Sequence, residues 1–249
     1  MTPTDRRKRT PAKINSNPAV VTDLVIFTVI ESDLKVLLIQ RDTPPFRGTW
    51  ALPSNELRVR HDGDQGEDIE DAARRTFQDA TGLSVDHCHM KQLHTFGRAG
   101  RDPRMRVISV AWYALLRPSL ATQASPTKEG APFQWFSVSE EAPWMRLAFD
   151  HAEILALGAE RIAQTIEDSN LAYTLAPHIF TVAELQSVYE ATQHRKWDPR
   201  NFRRRFQRMV DDGTIVESPG KRHRGKARPA SVWRFAENSF VPTLNKSSG

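Results

Sequence analysis

The chain has 249 residues, with 35 Lys+Arg against 30 Asp+Glu and a net charge of +5 with neutral histidines. At roughly 100–200 residues per domain this allows one large domain or two modest ones. A composition of 39% apolar and 26% charged residues excludes a mainly disordered chain. No apolar run approaches the ~18 residues a membrane span needs. The basic N-terminus lacks the apolar segment of a signal peptide, and the single cysteine, Cys88, excludes an intramolecular disulfide and a cysteine-cluster zinc site. These features point to the cytoplasm, with no membrane partner.

In chain order, residues 1–18 are polar and basic and read as a flexible arm. Residues 20–30 are rich in Val, Ile, Phe and Thr and read as a strand, Glu31-Ser-Asp33 as a turn, and residues 35–40 as its hairpin partner. Residues 42–66, with Pro44, Pro45, Gly48, Pro53, Gly63 and Gly66, are expected to be mostly loop. Ile69, Ala72, Ala73, Phe77 and Ala80 fall at helical spacing and predict a helix over 68–81, closed by Gly82. Strands are expected at 91–96, 106–116 and 133–136. In the second of these Trp112 and Tyr113 alternate, so one should face the core. A further helix is expected over 149–167.

From residue 171 the pattern changes. Thr181-Val-Ala-Glu184 is a capping-box signature opening a helix to about Thr192. Asp198-Pro199 opens another, to about Asp211, and Gly213 closes it. Two β-like runs, 214–217 and 231–235, flank a glycine-rich basic loop over 218–230. This order predicts a winged helix-turn-helix.

Charge follows the same division. Residues 1–13 carry +4, residues 14–194 carry −8, residues 195–228 carry +8 and residues 229–249 carry +1. A basic part on an acidic body suggests a polyanion partner, the alternative being a solvated basic face. On the helix from Asp198, Phe202, Phe206, Met209 and Val210 share one face, which can bury against Val182, Leu185, Val188 and Tyr189. Arg204 and Arg208 lie opposite, with Arg200, Asn201 and Gln207 beside them and Arg203 and Arg205 on the flanks. Arginine forks and amides suit guanine and adenine edges in the major groove of double-stranded DNA. Lys221, Arg222, Arg224, Lys226 and Arg228 of the basic loop suit phosphate or minor-groove contact.

The stretch Gly48-Thr-Trp-Ala-Leu-Pro53, followed by the helix, resembles the Nudix family, whose box reads G-x5-E-x7-R-E-U-x-E-E-x-G-U, with U aliphatic or aromatic. Glu67, Arg75, Phe77, Gly82 and Leu83 match it. Thr76 and the pair Asp79-Ala80 stand where three glutamates are expected, and Ser54-Asn55 replaces the usual glycine pair, with about six extra residues before Glu67. Hydrolysis in this family uses clustered carboxylates on Mg²⁺, a hard cation that needs several oxygen ligands. The departures imply a Nudix fold that has kept ligand binding and lost catalysis, with no catalytic residue and no metal. Glu67 becomes a residue favoured at a helix N-terminus and Arg75 an ion-pair partner. The alternative is an active Mg-dependent hydrolase of ADP-ribose-like substrates with a basic nucleic-acid-binding appendage.

Over residues 20–235 the chain also resembles the Nudix-related transcriptional regulators of NAD metabolism, the NrtR family and its NadQ-type relatives. The likeness rests on Leu37-Leu-Ile-Gln-Arg41, Pro45-Phe-Arg-Gly-Thr-Trp-Ala-Leu-Pro53, His94-Thr-Phe-Gly97 with Gly100-Arg-Asp-Pro-Arg104, Phe149-Asp-His151 and Arg200-Asn-Phe-Arg-Arg204. It implies an α+β chain: a Nudix-like α/β/α sandwich over 19–168, a winged helix-turn-helix over 169–238 and a tail over 239–249. It implies a homodimeric repressor of NAD biosynthesis or salvage genes on a palindromic operator. Its effector would be ADP-ribose, NAD or ATP, with no cofactor required. A third reading is a regulator of the same build acting on another pathway. A pyrophosphate needs cations and adenine a flat apolar surface. Arg41, Arg47, Arg101 and Arg104 are the candidate anion contacts, Phe46 and Trp50 the candidate pocket walls, and His151 a candidate for the pocket, a helix start or the dimer.

Overall fold

The computed structural model describes residues 17–59, 65–127, 130, 132–138, 146–167, 171–222 and 229–236. Arg224, Lys226 and Arg228 lie outside them, as do nearly all of the arm and the whole tail.

A seven-stranded mixed sheet forms the body. Its centre is β1 (Ala19–Ile30), whose apolar run is covered on both sides. Glu31 and Ser32 take positive φ, 53° and 64°, the pairing a tight I′-type hairpin turn requires. They return the chain as β2 (Asp33–Gln40), with Ile30 opposite Asp33. Short strands β3 (Trp50–Ala51) and β4 (Ser54–Glu56) follow, then β5 (Cys88–Phe96), β6 (Val107–Leu116) and β7 (Phe133–Ser137). The path runs β3-β2-β1-β6-β5, with β4 on β1 and β7 on β2, and β6 runs parallel to β1.

Alternation along β1 and β6 divides the core. Leu24, Ile26, Trp112 and Ala114 point to one side, where Ala73, Phe77 and Ala80 of helix α1 (Ile69–Thr81) meet them. Val25, Phe27, Tyr113 and Leu115 point to the other, against Ile154, Leu155 and Ile162 of α3 (His151–Thr165). Both sheet faces are covered, so Trp112 and Tyr113 are both buried, at 3% exposure each; the expectation that only one faces a core is corrected. At Gly158 of α3 a Cβ would sit 3.3 Å from the Phe27 ring, so glycine there permits the close helix–sheet approach.

Two short helices, α2 (Pro118–Ala121) and α4 (Leu171–Leu175), and β3 and β4 within the expected 42–66 loop, are additions to the sequence reading. Helices of one turn and strands of two or three residues carry too little periodicity to detect. Leu171 and Leu175 of α4 join the same apolar cluster as Ile162 and Ile166 on one side and Leu185 and Val188 on the other. The two units thus share a continuous core.

The C-terminal unit comprises α5 (Val182–Gln193), α6 (Pro199–Asp211), β8 (Ile215–Arg222) and β9 (Ala230–Phe235). Thr181 and Glu184 close a full capping box, and Asp198 accepts the Asn201 N–H at 2.9 Å. Phe180 bridges Trp233 as a third strand contact. Phe202 stacks edge-on to Tyr189 at 5.5 Å and Phe206 to Trp233 at 5.2 Å. Burying such rings contributes about 1.5–3 kcal/mol each, and fixes which face of α6 stays outside. β8 runs through Arg222 with a bulge between Ser218 and Lys221. Lys221 and Arg222 therefore sit on a strand, where the sequence reading has a loop.

Candidate functional site

The Nudix unit holds a cleft of about 150 Å³ whose lining includes Asp23, Arg41, Arg101, Arg104, Phe149 and His151. Its floor is a buried ionic network. Asp23 of β1 is 1% exposed. Arg101 donates from Nε to Asp150 Oδ2 at 2.9 Å, and from Nη2 to Asp150 Oδ1 at 2.6 Å and Asp23 Oδ2 at 2.8 Å. The Leu52 N–H donates to His151 Nδ1 at 2.9 Å, which leaves His151 Nε2 3.5 Å from Asp23 Oδ1. With Nδ1 accepting, Nε2 is the ring nitrogen that turns its proton toward the carboxylate. Burial alone would raise the Asp23 pKa, but the neighbouring His151 holds it well below the usual carboxylate range. Burial likewise works against the Arg101 charge, and Asp150 and Asp23 more than offset it. Arg101 and His151 are thus committed to the floor, so the expected free anion contact at Arg101 gives way to a buried ion pair.

The rim is different. The Arg41 guanidinium lies 4.7 Å from the Phe149 ring centroid and that of Arg104 5.9 Å. Phe46, 43% exposed, meets Phe149 edge-on at 5.0 Å. Burial lowers the Arg41 pKa, and the nearby Arg104 charge lowers it further. Arg41 Nε bonds the Pro45 carbonyl, and Arg104 pairs with Asp102 at 2.6 Å. Phe46 and Phe149 take φ of 65° and 56°. Bulky residues rarely adopt that region, which costs about 1–3 kcal/mol, and such strain concentrates at binding sites.

Two candidates lie elsewhere. Trp50 packs into the core, 4.8 Å from the Phe136 ring, and Arg47 is exposed outside the cleft lining. Asp23 joins the cleft without being a sequence candidate, and Phe149 and Asp150, part of the family-like Phe149-Asp-His151 segment, join it as wall and floor. Asp23 carries a signal: it is the one charged residue in an otherwise apolar run of buried-strand character.

The Nudix-box remnant on and beside α1 does not fit Mg²⁺. Glu67, just ahead of the helix, is bound by Arg75 and by the Arg58 N–H. Its role is this ion pair rather than a place in the first turn. Arg75 holds the Glu67 pKa down through a side-chain hydrogen bond. Asp79 accepts from Asn55 at 3.0 Å. Thr76 is buried, bonding the Ala72 carbonyl and sharing a 2.9 Å hydrogen bond with Thr22. Ala80 is apolar and buried. Of the four box positions, Thr76 and Ala80 offer no carboxylate and Glu67 and Asp79 are engaged, which leaves too few oxygens at the box for a hard divalent ion. No group of three His, Cys, Asp or Glu forms a metal site among the described residues.

The second candidate site is the outer face of α6. Arg200, Asn201, Arg203, Arg204, Gln207 and Arg208 are exposed. Arg204, Arg208, Asn201 and Gln207 line a groove of about 600 Å³. Arg205 lines the same groove but is held inward: it bonds the Glu167 carbonyl and lies 4.9 Å over the Tyr189 ring. Arg222 likewise pairs with Glu184 and bonds the Ile179 carbonyl. Both have partners within the protein, unlike the other arginines expected to face DNA on α6. No helix among the described residues is long and apolar enough to cross a membrane.

With this geometry, comparison with known proteins gives consistent matches. The Nudix domain profile matches residues 21–157 and the NrtR DNA-binding winged helix domain profile residues 172–235. The chain is 32% identical over 224 residues to the ADPR responsive transcriptional repressor NtrR of Acinetobacter baylyi, covering 90% of this chain and 84% of that one. It is 31% identical over 139 residues to the ADP-ribose pyrophosphatase of Methanocaldococcus jannaschii, covering 56% of this chain and 72% of that one. Shewanella oneidensis NrtR, solved with a 27mer DNA, superposes with a TM-score of 0.69 at 26% identity, over 88% of this chain and 94% of that one. A Nudix body with a shared-core winged helix, matched along nearly its whole length, makes this chain a member of the NrtR family of Nudix-related transcriptional regulators.

Proposed function

We propose that this protein is a DNA-binding transcriptional repressor whose Nudix unit senses ADP-ribose and does not hydrolyse it. The observation that carries the reading is the separation of the two sites' charges. The carboxylates left at the Nudix-box positions, Glu67 and Asp79, are engaged, while α6 presents four exposed arginines, Arg200, Arg203, Arg204 and Arg208. ADP-ribose is favoured over NAD or ATP because the ADPR responsive repressor and the ADP-ribose pyrophosphatase both align with this body. The cleft is smaller than the ~300–1,000 Å³ of small-molecule pockets. It suits a phosphate or ribose, with the remainder of the ligand over Phe46, Arg41 and Arg104.

The site is coupled to the reader by one helix. α3 begins with His151 in the cleft floor, and beyond its end Glu167 accepts from Gln193 and Arg195 and gives its carbonyl to Arg205 of α6. A ligand that favours one setting of the floor biases the seating of α6. In a homodimer the two recognition helices must meet successive major grooves ~34 Å apart. Ligand binding that alters this spacing releases a palindromic operator of NAD biosynthesis or salvage genes.

Gel-shift titration on such operators tests the reading. ADP-ribose should release the complex at lower concentration than NAD or ATP. Unchanged retardation at saturating levels of all three overturns the sensor assignment. Rapid ADP-ribose hydrolysis with Mg²⁺ or Mn²⁺, abolished by Glu67→Gln, overturns the non-catalytic one.

A further inference from the structure

A second cleft, of about 160 Å³, lies where the Nudix body meets the wing. Arg117 contributes from the end of β6, Tyr173 from α4, Pro177 and His178 from the next turn, and Arg234 and Phe235 from β9. The lining holds three basic side chains and no acid. The Arg117 guanidinium lies 5.0 Å over the Tyr173 ring, which meets Phe235 edge-on at 5.5 Å. Arg117 Nε is buried with no hydrogen-bond partner among the described residues. There, no ion pair is formed by Arg117, His178 or Arg234.

This is the reverse of Arg101, whose buried guanidinium is matched by two carboxylates. A buried charged donor without an acceptor is unfavourable. Guanidiniums drawn to one cleft repel one another unless an anion lies between them. Guanidinium forks match tetrahedral oxyanions. The volume suits a phosphate-sized ion and is small for a whole nucleotide.

We propose that this joint is a phosphate-class oxyanion site, distinct from the effector cleft, in which one anion bridges Arg117 of the Nudix body to Arg234 of the wing. Two sources offer that chemistry, free phosphate and the DNA backbone, and the register favours the first. Arg234 pairs with Val216, at the end of the wing hairpin opposite Arg222 and Ala230. Filled, the site stiffens the joint between sensor and reader.

Phosphorus NMR titration of inorganic phosphate into the full chain, in a phosphate-free buffer, tests this. Saturable binding should persist with saturating ADP-ribose. It should weaken about tenfold or more in both Arg117→Gln and Arg234→Gln, since each removes a charge-assisted contact. Should Arg117→Gln fail to fold, Arg234→Gln decides the matter. Non-saturable binding, or binding indifferent to the substitutions, overturns the proposal. So does displacement by ADP-ribose, which would place the phosphate in the effector cleft. Equal loss of operator affinity by the variants with and without phosphate would assign these cations to the DNA backbone, and also overturns it.

Discussion

Helices α1 and α6 are both thirteen residues long, and they handle charge in opposite ways. On and beside α1, Glu67, Arg75 and Asp79 neutralise one another, with Arg75 and Glu67 only 16% and 17% exposed at their side chains. On α6 the arginines opposite Phe202 and Phe206 are exposed, and Arg200, Arg203, Arg204 and Arg208 form no ion pair among the described residues. A charge that is satisfied internally specifies structure. A charge left exposed and unpaired is available to a partner. Within the cleft the floor of Asp23, Arg101 and Asp150 is buried, whereas Arg104 on the rim pairs with Asp102 yet keeps a side chain 53% exposed.

The strongest test of this contrast is at the floor. Arg101→Met leaves Asp23 and Asp150 buried without their cation, and removal of one partner from a buried pair costs about 3–5 kcal/mol. Chemical denaturation should show a loss of that size; a loss within error would mean that the floor is not a structural network. Next in size is the reader. Arg204→Ala and Arg208→Ala should each weaken operator binding by about 1–3 kcal/mol, near tenfold to a hundredfold, if each makes a base contact. Their melting temperatures should be unchanged. A fall in thermal stability without loss of DNA binding would break the comparison, because it would place these side chains in the packing.

Arg205→Ala sharpens the comparison from the same helix. Its guanidinium holds the Glu167 carbonyl and the Tyr189 ring, so it should destabilise the protein by about 1–2 kcal/mol. Arg205→Lys should restore only part of this, since an ammonium lacks the planar fork. The smallest effect is a pH dependence. Burial, aided by the Lys91 charge, lowers the His89 pKa from 6.5 to about 4. The unfolded chain therefore binds the proton first, and this contribution to stability is full above pH 6.5 and is lost as pH falls toward 4. Melting curves across that range should steepen downward, and His89→Gln should flatten them; an identical profile in the variant would show that another group is responsible.

Much of the reader was legible because its signals are local. The capping box at Thr181, the Asp198-Pro199 start and the four-residue period of Phe202 and Phe206 all act within one or two helical turns, and each appears where the residues predict. The Nudix body was legible through its long apolar strands and the α1 pattern. The cleft was legible only in part. Arg41, Arg101 and Arg104 were recognisable as cations but not as floor or rim, because that depends on Asp23, Asp102 and Asp150 brought from distant elements. Trp50, a candidate pocket wall, is turned onto Phe136 by the strand pairing of β3.

The two-part organisation, the polarity of charge between the parts, the departures from the Nudix box and the exposed face of α6 are written in the residues themselves. These follow from residue types at fixed local spacing, where backbone geometry leaves little choice. Contacts between distant elements set which charges are engaged and which stay exposed. Arg204 and Arg205 are adjacent and identical in chemistry, yet Arg205 alone meets Glu167 and Tyr189 across the fold. Its role is set by pairings over long sequence separations, which composition and periodicity do not encode.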